Sequence, residues 1–170
     1  YTKDNILGTH ILLESVREYG NIEKFIHVST DEVYGESVCQ ETDIKNEKSI
    51  LNPTNPYAAT KASAEMLVNS YVYSYGLPVI ITRGNNVYGP RQYPEKLIPK
   101  FINLLLDDKK CTIHGEGETE RSFLYVDDVV KAFEMILSKG KIGEIYNIGT
   151  NYEYSVMEIT RRLIKMIHNC

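Results

Sequence analysis

The apolar positions of this chain change their spacing repeatedly, and each change marks an element. Over residues 2–19, Ile6, Thr9, Leu12, Leu13 and Val16 recur at helical spacing, and Gly20 stands where a helix end favours a left-handed residue. Phe25-Ile26-His27-Val28-Ser29 is short, β-branched and almost continuously apolar, the pattern of a strand covered on both faces. No hydrophobic period runs through residues 36–55, which read as a surface excursion. A second helix is expected from about Tyr57, where Ala58, Ala59, Ala62 and Ala64 combine high helix propensity with a small-residue surface suited to self-association. Gly76-Leu77-Pro78 stops it, and Val79-Ile80-Ile81-Thr82-Arg83 forms a second buried strand running into a turn over residues 84–90. Beyond Pro94 the pattern predicts an amphipathic helix with Leu97, Phe101, Leu104 and Leu105, then short strands over residues 111–114 and 122–125. A helix over about 127–138, a strand over 144–148 and a helix over 155–168 complete the chain, the last opened by a capping box of Ser155 and Glu158.

Helix alternating with buried strand implies right-handed βαβ units, so the fold class is α/β, a doubly wound parallel sheet with helices on both faces. At 170 residues, 42% hydrophobic and 25% charged, the composition is that of one folded domain or a large piece of one, not of a disordered chain. A net charge of −4 gives no electrostatic footprint for nucleic acid or a membrane surface, so an anionic ligand must be held locally. No apolar run approaches the roughly 20 residues that span a bilayer, and no signal peptide opens the chain. Cys39, Cys111 and Cys170 form no CxxC pair, which favours a reducing, cytoplasmic setting over a disulfide framework or a zinc site. The chain opens on Tyr1 with a helix already under way, as a piece of a longer protein would.

In an open parallel sheet, ligands bind beyond the carboxyl ends of the strands. Thr30-Asp31-Glu32 stands at such an end. Its ordinary role is helix capping and solvated loop charge, but two carboxylates in one cleft also supply the acid and base of an elimination if their environments separate their pKa values. A regular strand would send the two to opposite faces, so a bent strand end is required. Tyr57 and Lys61 stand four apart on a helix and share a face, where the ammonium would favour the phenolate. Chance alone gives about one Tyr-x-x-x-Lys in a chain of this composition, so its placement after a strand ending in Ser-Thr carries the weight. Arg121 suits either a bidentate diphosphate contact or a surface ion pair. His114 suits a stack on a nucleobase or a solvated loop, and Asn85-Asn86 reads as a turn pair. Gly115-x-Gly117 lacks a third glycine and runs into Glu118-Thr119-Glu120, so it is no phosphate loop. The four histidines form no metal constellation, and His27 reads as a core residue.

Taken in order, Ser29-Thr30-Asp31-Glu32-Val33-Tyr34-Gly35, Pro56-Tyr57-Ala58-Ala59-Thr60-Lys61, Thr82-Arg83-Gly84-Asn85-Asn86-Val87-Tyr88-Gly89-Pro90, Pro94-Glu95-Lys96-Leu97-Ile98-Pro99, Arg121-Ser122-Phe123-Leu124-Tyr125-Val126-Asp127-Asp128-Val129 and Tyr146-Asn147-Ile148-Gly149 resemble the nucleotide-sugar 4,6-dehydratases of the extended short-chain dehydrogenase/reductase family. The resemblance covers essentially the whole chain. It implies a Rossmann-like fold with a small substrate-binding subdomain, NAD as cofactor, and a reaction that oxidises a sugar at C4, eliminates water across C5 and C6, and returns hydrogen to C6. Tyr57 would take the 4-hydroxyl proton, Lys61 would lower the Tyr57 pKa and hold the nicotinamide ribose, and Thr30 would bond the 4-hydroxyl. Glu32 would be the base at C5 and Asp31 the acid at the 6-hydroxyl.

The same resemblance assigns Val87 to the nicotinamide end, Asn86, Glu95, Lys96 and Leu97 to the sugar and nucleotide, Arg121 to the diphosphate, and Thr112, Ile113 and His114 to the border of the base. UDP-glucose and dTDP-glucose both remain open as substrates. Residues 1–90 would be the later half of the cofactor-binding domain. Residues 91–170 would be mostly the nucleotide-sugar subdomain, with 126–150 returning to the main sheet. The glycine-rich dinucleotide turn is expected about 90 residues upstream, and two helices from each subunit would form a four-helix bundle in a homodimer. A related epimerase or decarboxylase, or a non-catalytic nucleotide-sugar-binding fragment, is the alternative; Asp31 favours dehydration.

Overall fold

A computed structural model describes residues 1–35, 45–150 and 152–168. After a π-helical stretch, Thr2–Leu7, come helix α1 (Gly8–Tyr19), strand β1 (Phe25–Thr30), a 3-10 turn (Asp31–Tyr34) and helix α2 (Pro56–Tyr75). Strands β2 (Val79–Gly84) and β3 (Asn86–Tyr88), helix α3 (Leu97–Leu106), strand β4 (Glu120–Tyr125) and helix α4 (Val126–Lys139) follow. Strands β5 (Ile145–Ile148) and β6 (Glu153–Ser155) and helix α5 (Val156–His168) end the described chain. The chain divides into two compact units, Tyr1–Asn85 with Lys131–Ile148, and Asn86–Val130 with Gly149–Cys170.

The first unit is built on a parallel sheet in the order β1-β2-β5, with Phe25 opposite Val79 and Thr30 opposite Gly84. Strand alternation sorts its apolar residues. Val79 and Ile81 join Leu13 and Val16 of α1 and Val68 and Tyr71 of α2 in one core, while the intervening Ile80 lies within reach of Gly140 just beyond α4, on the opposite face. Helices thus cover both faces of a parallel sheet, the doubly wound α/β arrangement. The first helix begins as a π-helix rather than a regular α-helix and ends at Gly20 with φ of 69°, a left-handed terminus whose N–H bonds the Val16 carbonyl.

The second unit carries strands in the order β3-β4-β6, β3 parallel and β6 antiparallel to β4. Two expectations fail here. The turn over 84–90 contains β3, because Asn86, Val87 and Tyr88 find ladder partners in Phe123, Leu124 and Tyr125. The strand over 111–114 does not form: β4 is flanked by β3 and β6, and residues 111–114 pair with neither. Helix α3 packs on α5, burying Phe101 and Leu105. The capping box at α5 is present, Glu158 N–H donating to Ser155 Oγ at 3.1 Å and Ser155 N–H to Glu158 Oε2 at 2.9 Å. Residues 36–44 of the surface excursion lie outside the described residues, as do Cys39 and Cys170. Among the described residues no helix is long and apolar enough to cross a membrane, and no group of metal-ligating side chains is found.

Candidate active site

The carboxyl end of β1 is where the first unit collects its reactive groups. Thr30 closes the strand in an extended conformation, and its Oγ1 accepts from the Glu32 N–H at 3.3 Å, capping the 3-10 turn. The ordinary capping role of this residue type is therefore real, and it builds the site. The turn replaces the bent strand that the sequence required, since at three residues per turn neighbouring side chains stand about 120° apart instead of on the opposite faces of a pleated strand. Gly35 ends the turn at φ 82°, where any side chain would collide with the Asn52 carbonyl, while the Asn52 N–H donates to the Val33 carbonyl at 3.0 Å.

The two carboxylates sit in unlike surroundings. Asp31 is partly buried, accepting from Asn85 Nδ2 at 2.6 Å and from Thr30 Oγ1 at 3.2 Å. Burial pushes its carboxyl above the usual carboxylate range; the bonds from Asn85 and Thr30 pull against that, and the charge of Glu32 adds to it. Glu32 accepts from Asn55 Nδ2 at 2.9 Å. The same Asn55 caps α2, its Oδ1 accepting from the Ala58 N–H at 2.8 Å, with Pro56 at the first helical position.

Helix α2 presents Tyr57 and Lys61. Burial raises the Tyr57 phenol above its ordinary value, and the charges of Glu32, Asp31 and the Tyr1 phenol raise it further, which sets it among the carboxylates electrically. The Tyr1 ring packs edge-on against it at 5.5 Å. The expected depression of the Tyr57 pKa by Lys61 is absent here, because the Lys61 ammonium is turned to the Val28 carbonyl at 2.6 Å. Burial lowers the Lys61 pKa. On β1, His27 Nε2 and Ser29 Oγ are buried without a hydrogen-bond partner among the described residues. Burial, with the Lys61 charge and against that of Glu65, brings the His27 pKa down to about 4, so the ring is neutral as a core histidine should be.

Beneath these groups lies a buried polar network with no simple trace in the sequence. Arg83 Nε lies 3.1 and 3.2 Å from the Glu65 carboxylate oxygens, and a terminal nitrogen donates to Oε2 at 2.6 Å. The other terminal nitrogen donates to the Tyr34 hydroxyl at 2.8 Å, which donates to Asn147 Oδ1 at 2.8 Å. One network thus joins β2, α2, the 3-10 turn and β5.

Thr30, Asp31, Glu32, Tyr57 and Lys61 therefore come together in the first unit, joined by Asn85 and Asn55, which pattern reading missed. Asn55 before Pro56 is a legible cap signal; Asn85 offered only a turn pair. The remaining candidates belong to the second unit. Asn86 and Val87 lie on β3, Glu95 and Lys96 precede α3, and Leu97 opens it. Thr112, Ile113 and His114 are irregular, and Arg121 lies exposed on β4 opposite Tyr154.

Residues 1–149 match the family described as the NAD dependent epimerase/dehydratase family. Among curated proteins, the chain is 58% identical over 174 residues to a dTDP-D-glucose 4,6-dehydratase of Dictyostelium discoideum, covering 98% of this chain and 40% of that protein. It is 57% identical over 166 residues to a trifunctional UDP-glucose 4,6-dehydratase, 3,5-epimerase and reductase of Arabidopsis thaliana, covering 98% of this chain and 25% of the relative. Among solved structures, a dTDP-glucose 4,6-dehydratase of Bacillus anthracis in complex with NAD superposes with a TM-score of 0.92 at 43% identity, covering 99% of this chain and 53% of that one. The chain thus spans about half or less of the length of these relatives.

Proposed function

We propose that this chain, which belongs to the NAD dependent epimerase/dehydratase family, carries the catalytic part of an NAD-dependent hydro-lyase that converts a nucleoside-diphosphate-glucose into its 4-keto-6-deoxy derivative. The carrying observation is the pair of adjacent carboxylates in unlike surroundings. Asp31 is held towards its protonated form by burial, and Glu32 is bonded to the Asn55 amide. An elimination needs one proton donor and one acceptor at neighbouring carbons.

Tyr57 takes the 4-hydroxyl proton while Thr30 bonds that hydroxyl, and Lys61 favours the phenolate against the two carboxylates once its ammonium turns from the Val28 carbonyl towards the phenol. The C4 ketone acidifies C5. Glu32 removes the C5 proton, Asp31 protonates the departing 6-hydroxyl, and water leaves as the C5–C6 double bond forms. NAD, which Tyr57 and Lys61 would hold, would supply the hydride acceptor for C4 and the hydride donor for C6. C5 recovers its proton from Glu32, and the proton that Tyr57 took from the 4-hydroxyl replaces the one Asp31 gave up, so one water is lost in total.

Tyr57 and Lys61 fit the ribose side of that cofactor, since both stand on one face of α2 and the Lys61 ammonium reaches the carboxyl end of β1. Val87 would meet the nicotinamide end through its backbone. Asn86, Glu95, Lys96 and Leu97 would hold the sugar and nucleotide, Arg121 the diphosphate, and Thr112, Ile113 and His114 the border of the base. The enzyme would act in the cytoplasm as a homodimer through a four-helix bundle, a role supported by the exposed Ile11, Leu12, Met66 and Tyr73 on α1 and α2.

The test is to incubate the full-length enzyme with UDP-glucose and, separately, dTDP-glucose, following the alkali-induced absorbance of a 4-keto-6-deoxy sugar. Product from either substrate, strongly reduced in Asp31→Asn, supports the reading. No product from either, with folded protein and bound NAD, refutes it.

A further inference from the structure

We infer that Asn55 is a positioning residue that locks the Glu32 carboxylate to the start of the helix bearing Tyr57 and Lys61. The inference rests on the dehydratase reading and deepens it, since it concerns where the C5 base is held relative to the residue that acts at C4. Its basis is one side chain with two bonds of opposite sense. Asn55 Oδ1 accepts from the Ala58 N–H at 2.8 Å, and Nδ2 donates to Glu32 Oε2 at 2.9 Å.

The chemistry of the partners fixes which way the amide points. A backbone N–H only donates and a carboxylate only accepts, so the opposite orientation would set donor against donor and acceptor against acceptor. Among the residues favoured as N-caps, serine, threonine and aspartate can each accept from the helix amide. Only asparagine offers a separate N–H donor on a second atom, able to reach a carboxylate while the cap stays made. Aspartate would keep the cap and set a negative charge against Glu32. Serine would keep the cap and fall short, its single oxygen already engaged.

The attachment has a second point. Asn52 N–H donates to the Val33 carbonyl at 3.0 Å, so the segment leading into α2 is tied to the 3-10 turn by its backbone as well. Backbone and side-chain ties together hold the turn bearing Asp31 and Glu32 against the first turn of α2. Without the Asn55 amide, Glu32 keeps its place in the chain and loses the bond that sets its carboxylate orientation. Tyr57, whose helix start is still capped, is undisturbed. The loss should therefore fall on proton removal from C5 and spare oxidation at C4.

The experiment compares the full-length enzyme with its Asn55→Ser, Asn55→Asp and Asn55→Ala variants, using glucose nucleotides carrying deuterium at C5 or at C4. Misplacing a reacting group by a fraction of an ångström to an ångström costs on the order of 10- to 100-fold. Asn55→Ser should lose about 10-fold in kcat with KM and melting temperature unchanged, Asn55→Asp more than Asn55→Ser, and both should show a kcat isotope effect for C5 deuterium larger than in the unmodified enzyme. The C4 effect should not grow. Asn55→Ala should also lose thermal stability, because it loses the cap. Unchanged kcat and C5 isotope effect in Asn55→Ser and Asn55→Asp would overturn the inference, as would activity that falls only where melting temperature falls. If the unmodified enzyme makes no 4-keto-6-deoxy product, the dehydratase reading itself fails and this inference with it.

Discussion

The Arg83–Glu65 pair offers a sharp test of how the site is supported, because both partners are nearly inaccessible: Glu65 is 0% and Arg83 4% exposed. Burial alone would lower the proton affinity of Arg83, yet bonds to Glu65 and Tyr34 outweigh it and leave the guanidinium more firmly charged than usual. Removing one partner strands a buried charge, which costs about 3–5 kcal/mol, whereas replacing both by apolar side chains of similar volume costs little or even stabilises. Glu65→Leu and Arg83→Met should each destabilise by about 3–5 kcal/mol, which the singles would sum to about 6–10 kcal/mol. The double variant should cost under about 3 kcal/mol, a coupling of at least about 3 kcal/mol. The Tyr34 hydroxyl stays satisfied in the double variant through Asn147 Oδ1. Urea unfolding of the four proteins gives the cycle, and with each kcal/mol worth about 2–4 °C, either single should melt at least about 6 °C lower. Singles costing under about 1 kcal/mol, or a double equal to the sum of the singles, would refute the argument that a desolvated charge pair braces α2 against β2.

Other consequences are equally open to measurement. Asp31 holds its proton more tightly folded than unfolded, so its contribution to stability is greatest when protonated and falls as pH rises from about 4 through the raised folded value. Asp31→Asn should therefore gain melting temperature relative to the unmodified protein as pH rises towards neutrality, while losing product formation. His27 is the opposite case: with a folded pKa lowered from 6.5 to about 4, chiefly by burial, the stability owed to its neutral form is present above pH 6.5 and lost as pH falls towards 4. At about 1.4 kcal/mol per pK unit that loss is on the order of 3 kcal/mol, and His27→Leu should flatten the acid side of a melting profile. Gly35→Ala meets both a positive φ and the Asn52 carbonyl, so it should destabilise by about 2–4 kcal/mol in urea unfolding.

What could be read from the sequence follows the physics of periodicity. Buried strands and amphipathic helices announce themselves because burial imposes a spacing on the chain, and β1, β2 and α3 are legible on that basis, while α2 is legible from its alanine-rich run and α5 from its capping box. Strand β3 and the irregular segment over 111–114 were misread for one reason: a three- or four-residue run becomes a strand only if a partner is at hand, and partnership is a tertiary fact. The cluster of Thr30, Asp31, Glu32, Tyr57 and Lys61 was legible as a set of residue types at a strand end and a helix start, but its supports were not. Asn85 and Asn55 each hold one carboxylate from 54 and 23 residues away, and nothing local distinguishes an amide that will meet a carboxylate from one that will close a turn. The same holds for Arg83, which the pattern places at the end of a buried strand without showing what would pair its charge. Glu65 of the neighbouring helix and Tyr34 of the 3-10 turn meet it there. Candidate site residues are thus visible by type and order. Those that set their pKa and orientation lie far apart in sequence, and only the closing of the sheet and the capping of α2 bring them into contact.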